Sequence, residues 1–273
     1  MNKAMKKYLA IFAVGLAVFA AGYFWFGQKT NEEKIPIELK KQEQPENNES
    51  KAIETKTVPE ITESKQTPEI PKENAYKKTK QTVPFIVQAP FGKWKDQDFQ
   101  NGCEEASMIM AMGWIQKTAE ISAEKSETQI KDIIKFEEKL LGYSADTDIF
   151  DMQKIFQKYF EHNGTEVGEN IKIDNIKNEL QKGNIVLVPA FGRALKNPNY
   201  TSPGPITHML VIIGYDPESQ KFITNDSGTR KGKDYEYAEN VLFEAIWQYP
   251  SGKKHPEPPK GTLKKGMLVI KSS

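Results

Sequence analysis

The chain has 273 residues, 38 Lys and Arg against 37 Asp and Glu for a formal charge of +1, and a single cysteine, Cys103. A balanced charge leaves no basic footprint for nucleic acid, and one cysteine excludes both an internal disulfide framework and a cysteine-rich zinc site. The fold must therefore stand on its own apolar core, and no cofactor is expected.

The first seven residues, "MNKAMKK", carry three lysines, and the next nineteen, Tyr8 to Phe26, carry no charge. At helical rise those nineteen residues span roughly 28 Å, the depth of a bilayer's hydrocarbon. This predicts a transmembrane signal anchor over 8–26, with residues 1–7 cytoplasmic and the aromatic group Tyr23, Phe24, Trp25 and Phe26 at the far interface. The rest of the chain then lies outside the cytoplasm. Secretion after cleavage is the alternative, but the small-residue site Ala20-Ala21-Gly22 runs straight into bulky aromatics. A lipoprotein would need a cysteine just beyond the apolar stretch, and none is there.

Residues 28–82 hold eleven Glu, eleven Lys, five Pro and one aromatic, Tyr76. So little apolar surface cannot offset the entropy of ordering, so 27–82 is expected to be a disordered linker. As a flexible coil it would reach on the order of 40 Å from the membrane.

Composition changes at "VPFIVQAPFGKW", which opens a domain expected to run over 83–273. Apolar residues at helical spacing predict helices in "CEEASMIMAMGWIQ", "TQIKDIIKFEEKLLG", "DIFDMQKIFQKYFEHNG" and "KIDNIKNELQKG", the last capped by Asp174 and stopped at Gly183. Strands follow in "NIVLVPAFG", "THMLVIIGYD" and "KFITND", the last two joined as a hairpin through the turn "DPESQ". "ENVLFEAIWQY" reads as a helix and "GTLKKGMLVIK" as a final strand. Helices first and strands later predict an α+β domain, with helices packed on one side of an antiparallel sheet.

Cys103 falls behind Asn101 and Gly102 at the start of an amphipathic helix, where the helix dipole favours a thiolate. Glu104 and Glu105 oppose this unless they turn away or are paired. By position alone a buried, inert cysteine is the favoured reading over a nucleophile. Of the three histidines, His162 sits at a helix end and His255 in a proline-rich loop. His208 opens the apolar strand "MLVIIGY" after the loop "NYTSPGPIT", well placed to face a cleft. The hairpin brings Asp226 back beside His208, where its carboxylate could accept the Nδ1 proton of the imidazole. Cys103, His208 and Asp226 are too few to form a structural metal site.

The order of "VPFIVQAPFGKW", "GCEEAS", "THMLVIIGYD" and "NDSGTRKGKDYEYAENVLFEAI" resembles the bacterial papain-like domains of the peptidase C-39-like group, relatives of the double-glycine leader peptidases. The resemblance runs from about Val83 to Tyr249. It implies a papain-like cysteine peptidase fold in which Cys103 attacks a carbonyl, His208 is general base and then acid, and Asp226 orients His208. It also implies a glutamine that donates to the oxyanion: Gln88 matches the "VPxxxQ" opening, with Gln100 the competitor. Ser227 stands where the pattern leads one to expect proline.

Two readings follow. One is a membrane-anchored hydrolase outside the cytoplasm that cleaves a peptide, amide or isopeptide bond through an acyl-enzyme, with a peptide or cell-wall substrate. The other is an inactive papain-like module that only binds such a ligand. Oligomeric state is not legible.

Overall fold

The structure, a computed structural model, describes residues 76–253 and 256–271. The expected anchor and most of the linker lie outside the described residues. Among the described residues no helix is long and apolar enough to cross a membrane.

One antiparallel sheet organises the domain. Its strands are β1 (Thr79–Lys80), β2 (Thr165–Glu169), β3 (Ile185–Phe191), β4 (Thr207–Asp216), β5 (Lys221–Asn225), β6 (Tyr235–Ala238) and β7 (Gly266–Ile270). The spatial order is β2-β7-β3-β4-β5-β6, and β1 adds to one end of β4. The helices are α1 (Gln97–Gln100), α2 (Cys103–Ile115), α3 (Ala123–Leu141), α4 (Ile149–Lys158), α5 (Ile173–Gln181) and α6 (Glu239–Ala245).

The continuous apolar runs of β3 and β4 already signal strands covered on both faces. Every residue of β4 is buried. On one face α2, α3 and α4 form an apolar layer with Met209, Val211 and Ile213. On the other, Ile176 and Leu180 of α5 and Leu242 and Ala245 of α6 pack on Val186, Val188, Leu210 and Ile212. The N-terminal helices thus take one face as expected, but the single-sided arrangement does not hold, because α5 and α6 cover the other.

Helix α2 differs from its amphipathic reading: every residue from Cys103 to Gly113 is buried, so it is a central helix with no solvent face. Helix α3 begins at the Ser122 cap, before the predicted start, and ends at Gly142 in the left-handed conformation. Helix α5 is preceded by Lys172 rather than capped by Asp174, which lies in its first turn. Gly183 follows it with a positive φ, as its predicted stop requires.

Three short strands escaped the sequence pattern. One of them, β1, falls in the stretch that composition assigns to the linker: Thr79 pairs with Tyr215 and Lys80 with Gly214. The packing is close, since a Cβ at Gly214 would lie 2.2 Å from the Thr79 carbonyl oxygen. Lys78 adds an ion pair to Asp216 at 2.6 Å, and the Tyr76 ring meets Tyr215 edge-on. From there the chain reaches the end of β5. The Asn225 side chain donates to the Val83 and Pro84 carbonyls, and the Gln88 amide donates to the Ser227 carbonyl.

Candidate active site

The first turn of α2 meets the opening of β4 at a cleft of about 180 Å³, lined among others by Cys103, His208, Gln88, Gln100, Trp94 and Tyr200. Cys103 starts α2, and His208 is the second residue of β4, paired with Ala190 of β3. Asp226 directly follows β5, whose Asn225 pairs with Val211. The hairpin thus returns Asp226 to His208, with the imidazole Nε2 2.8 Å from Oδ1. The ring nitrogen facing the carboxylate is Nε2, not the Nδ1 that the sequence reading assigned.

Asp226 is fully buried, and such a carboxylate needs donors on both oxygens. Oδ1 accepts from His208 and from the Gly228 amide; Oδ2 accepts from Asn197 Nδ2 at 3.0 Å, Tyr200 OH at 2.6 Å and Tyr237 OH at 2.6 Å. Burial alone would raise its pKa, but the facing imidazole and the two phenols outweigh that and hold it below the ordinary carboxylate value. An ionised carboxylate only accepts, so Nε2 carries the ring proton and Nδ1 is left as the base. Burial and the adjacent Asp226 charge push the Tyr200 and Tyr237 phenols up, keeping them protonated as donors.

Asn197, Tyr200 and Tyr237 were not identified from the sequence. The first two lie in the long loop before β4, and Tyr237 lies on β6, a strand the pattern did not reveal. The Asp226 turn closes by a bond from its amide to the Gly232 carbonyl at 2.9 Å. A Cβ at Gly232 would fall 1.8 Å from the Asp226 carbonyl oxygen, so only glycine fits.

The thiol's surroundings run against the helix-dipole expectation. Glu104 does not turn away: Cys103 Sγ donates to Glu104 Oε2 at 2.9 Å, and Tyr249 OH donates to Oε1 at 2.5 Å. No hydrogen bond joins Cys103 to His208. Burial pushes the thiol well above its ordinary pKa, and the charges of Glu104, Glu105 and Asp146 add to it. The Glu104 carboxyl is itself raised to about 7, by burial first and then by Asp146.

Below Glu104, burial and the Glu104 charge raise Glu105 to about 8. Glu137 of α3, also buried, is raised well above its ordinary value by burial and by Glu105. Glu105 Oε2 and both Glu137 oxygens find no N–H or O–H donor, yet the two carboxyls lie within hydrogen-bonding reach of each other. Such a contact requires a proton between them, so at least one is neutral.

Gln88 Nε2 donates to the Phe99 carbonyl at 3.1 Å and the Gln100 carbonyl at 3.0 Å, which engages both amide protons and braces α1. The competitor has the opposite geometry: Gln100 Oε1 accepts from Gln97, and its amide nitrogen has no partner among the described residues. His162 packs against Phe156 away from the cleft. His255 lies outside the described residues.

A buried thiol at a helix start, an imidazole on a strand opposite and a carboxylate behind the imidazole define a papain-like α+β domain. The chain matches the Peptidase_C39 like family over residues 80–255, and it belongs to that family. No curated protein matches it. Among solved structures it is similar to a Bacillus anthracis protein provisionally named a C39-like peptidase. The two share 16% identity over 72% of this chain and 99% of the other, with a TM-score of 0.42.

The buried carboxyls make stability depend on pH. Glu104 and Glu105 keep protons up to about 7 and 8, whereas an unfolded chain releases them near 4.5. Between those values the folded state binds more protons, so stability is complete on the acid side and falls as pH rises. The melting midpoint should drop by roughly 5 °C or more from about pH 5 to pH 8, and Glu105→Gln should flatten the slope. A midpoint that rises over this range in the wild type would refute the buried proton.

Proposed function

We propose that this chain is a thiol hydrolase that cleaves a peptide, amide or isopeptide bond outside the cytoplasm. The observation that carries the reading is the convergence of Cys103 and His208 on one cleft, with His208 held by the ionised Asp226. His208 Nδ1 takes the Cys103 proton as Sγ bonds to the substrate carbonyl carbon and the carbonyl π electrons move to oxygen. The tetrahedral intermediate collapses to a thioester as the imidazolium protonates the departing amine. Water, deprotonated by His208, then attacks the thioester and releases the carboxylic acid product and the thiol.

The oxyanion would be held by the Cys103 amide, in the open first turn of α2, and by a glutamine side chain. Gln88 can serve only by releasing one of its two carbonyls, whereas the Gln100 side-chain nitrogen donates to nothing among the described residues. With a fluorogenic peptide pool, loss of the true donor should lower kcat by roughly 100-fold with little change in KM. Comparing Gln88→Ala with Gln100→Ala assigns the role, and full kcat in both removes glutamine from the mechanism.

A second reading, a family module that binds a peptide or cell-wall ligand without cleaving it, is favoured by the bond from Cys103 to Glu104 and the raised thiol pKa. Alkylation of Cys103 by iodoacetamide separates the two. The hydrolase predicts rapid labelling that slows at least about tenfold in His208→Ala and quickens in Glu104→Gln, which removes the charge opposing thiolate formation. Equal rates in wild type and His208→Ala leave the binding module.

The charge-free stretch 8–26 behind three lysines supports anchoring at the outer face of a membrane. The full chain should pellet with membranes through a carbonate wash and be cut within residues 28–75 by protease added to intact cells. Recovery in the supernatant would sink the anchor.

A further inference from the structure

Beside the catalytic cleft lies a second hollow of about 470 Å³, continuous with it because Trp94, Thr201 and Gly228 line both. Its lining adds Arg230 and Lys231, and no Asp or Glu lines either hollow. Neither Arg230 nor Lys231 has an ion pair among the described residues, in contrast to Lys78, Lys80, Lys93 and Lys221 elsewhere on the surface.

The two cations sit on a stiff support. They occupy the tip of the turn that holds Asp226, closed by Asp226 N to Gly232 O and by Gly232 N to Thr229 O, while the Lys231 amide donates to Thr229 Oγ1. The Arg230 guanidinium reaches across to the backbone of the turn before Trp94, where a Cβ at Gly92 would lie 2.5 Å from its Nη2. The rigid turn fixes where the two side chains begin, and a planar guanidinium offers paired N–H groups to a carboxylate.

We propose that this hollow is a substrate subsite for a carboxylate, supplied by an acidic residue near the scissile bond, with Arg230 and Lys231 as its partners. For its link to turnover the proposal rests on Cys103 being the nucleophile. The Trp94 indole provides the apolar wall for the stem of such a side chain, and the shared lining places the carboxylate close to the thiol. Because both cations are exposed, their preference is screened by salt.

The test uses the full chain and short peptide vinyl sulfones that differ only by Glu or Gln at each position flanking the electrophile, made with amidated or free C-termini. Each inactivation rate is divided by the same protein's iodoacetamide rate. At low salt, Glu at one position should be favoured over Gln by roughly tenfold, less at about 0.5 M NaCl, and not at all in Arg230→Gln/Lys231→Gln. A preference confined to the free C-terminus still supports the subsite and assigns it to a terminal carboxylate. A reactive thiol with no acidic preference anywhere overturns the proposal.

If Cys103 is inert to both reagents, the hydrolase reading fails separately. Calorimetry with the same peptides lacking the electrophile then decides the subsite. Tighter binding of the Glu peptide, lost in the double variant, upholds it, and equal Kd values refute it.

Discussion

A carboxylate withdrawn wholly from water must be compensated, and much of the domain around Asp226 is arranged to do so. Its two oxygens collect donors from β4, from the loop before β4, from β6 and from its own turn. Each donor is costly to lose, because the charge left behind remains buried. The loop carrying Asn197 and Tyr200 is therefore tied to the β5 end, which holds the wall it gives the cleft in place. The same bonds fix the tautomer of His208, so the electrostatics that stabilise this corner also decide which ring nitrogen can act as a base.

Helix α2 presents the complementary constraint. The burial of its residues 103–113 sets Cys103 rigidly, but it also takes Glu104 and Glu105 out of water, where the Cys103 thiol, the Tyr249 hydroxyl and a proton shared with Glu137 accommodate them. Cys103, Glu104, Glu105 and Glu137 thus form a chain of groups whose protons are not independent. A substrate that displaced the thiol from Glu104 toward His208 would shift charge along this chain. The resting thiol and an activated one are then two states of one buried network.

Part of this was legible in the sequence. Glycines 142 and 183 mark helix ends because a left-handed residue is needed there, and the apolar runs of β3 and β4 mark strands because nothing else buries such residues efficiently. The hairpin turn at Asp216 was enough to bring Asp226 to His208. The short edge strands were not legible, since "TEVGE" and "YEYA" are half polar and their pairing is supplied by neighbours distant in sequence. Local pattern also gives no hint that two adjacent glutamates would be buried, because that depends on Tyr249 and Glu137. The roles of Gln88 and Gln100 were equally hidden, turning on which amide reaches a main-chain carbonyl.

The position of β1 has a mechanical consequence. It joins β4 at Gly214 and Tyr215, whereas His208 lies at the opposite end of the same strand, roughly 20 Å away at the rise of an extended chain. A pull transmitted from the segment ahead of Tyr76 is met first by that two-residue ladder and by the Lys78–Asp216 ion pair. Those contacts would yield by peeling before strain reached Asp226 or the first turn of α2. That two-residue ladder thus stands between a pull on the start of the described chain and the strand that carries His208.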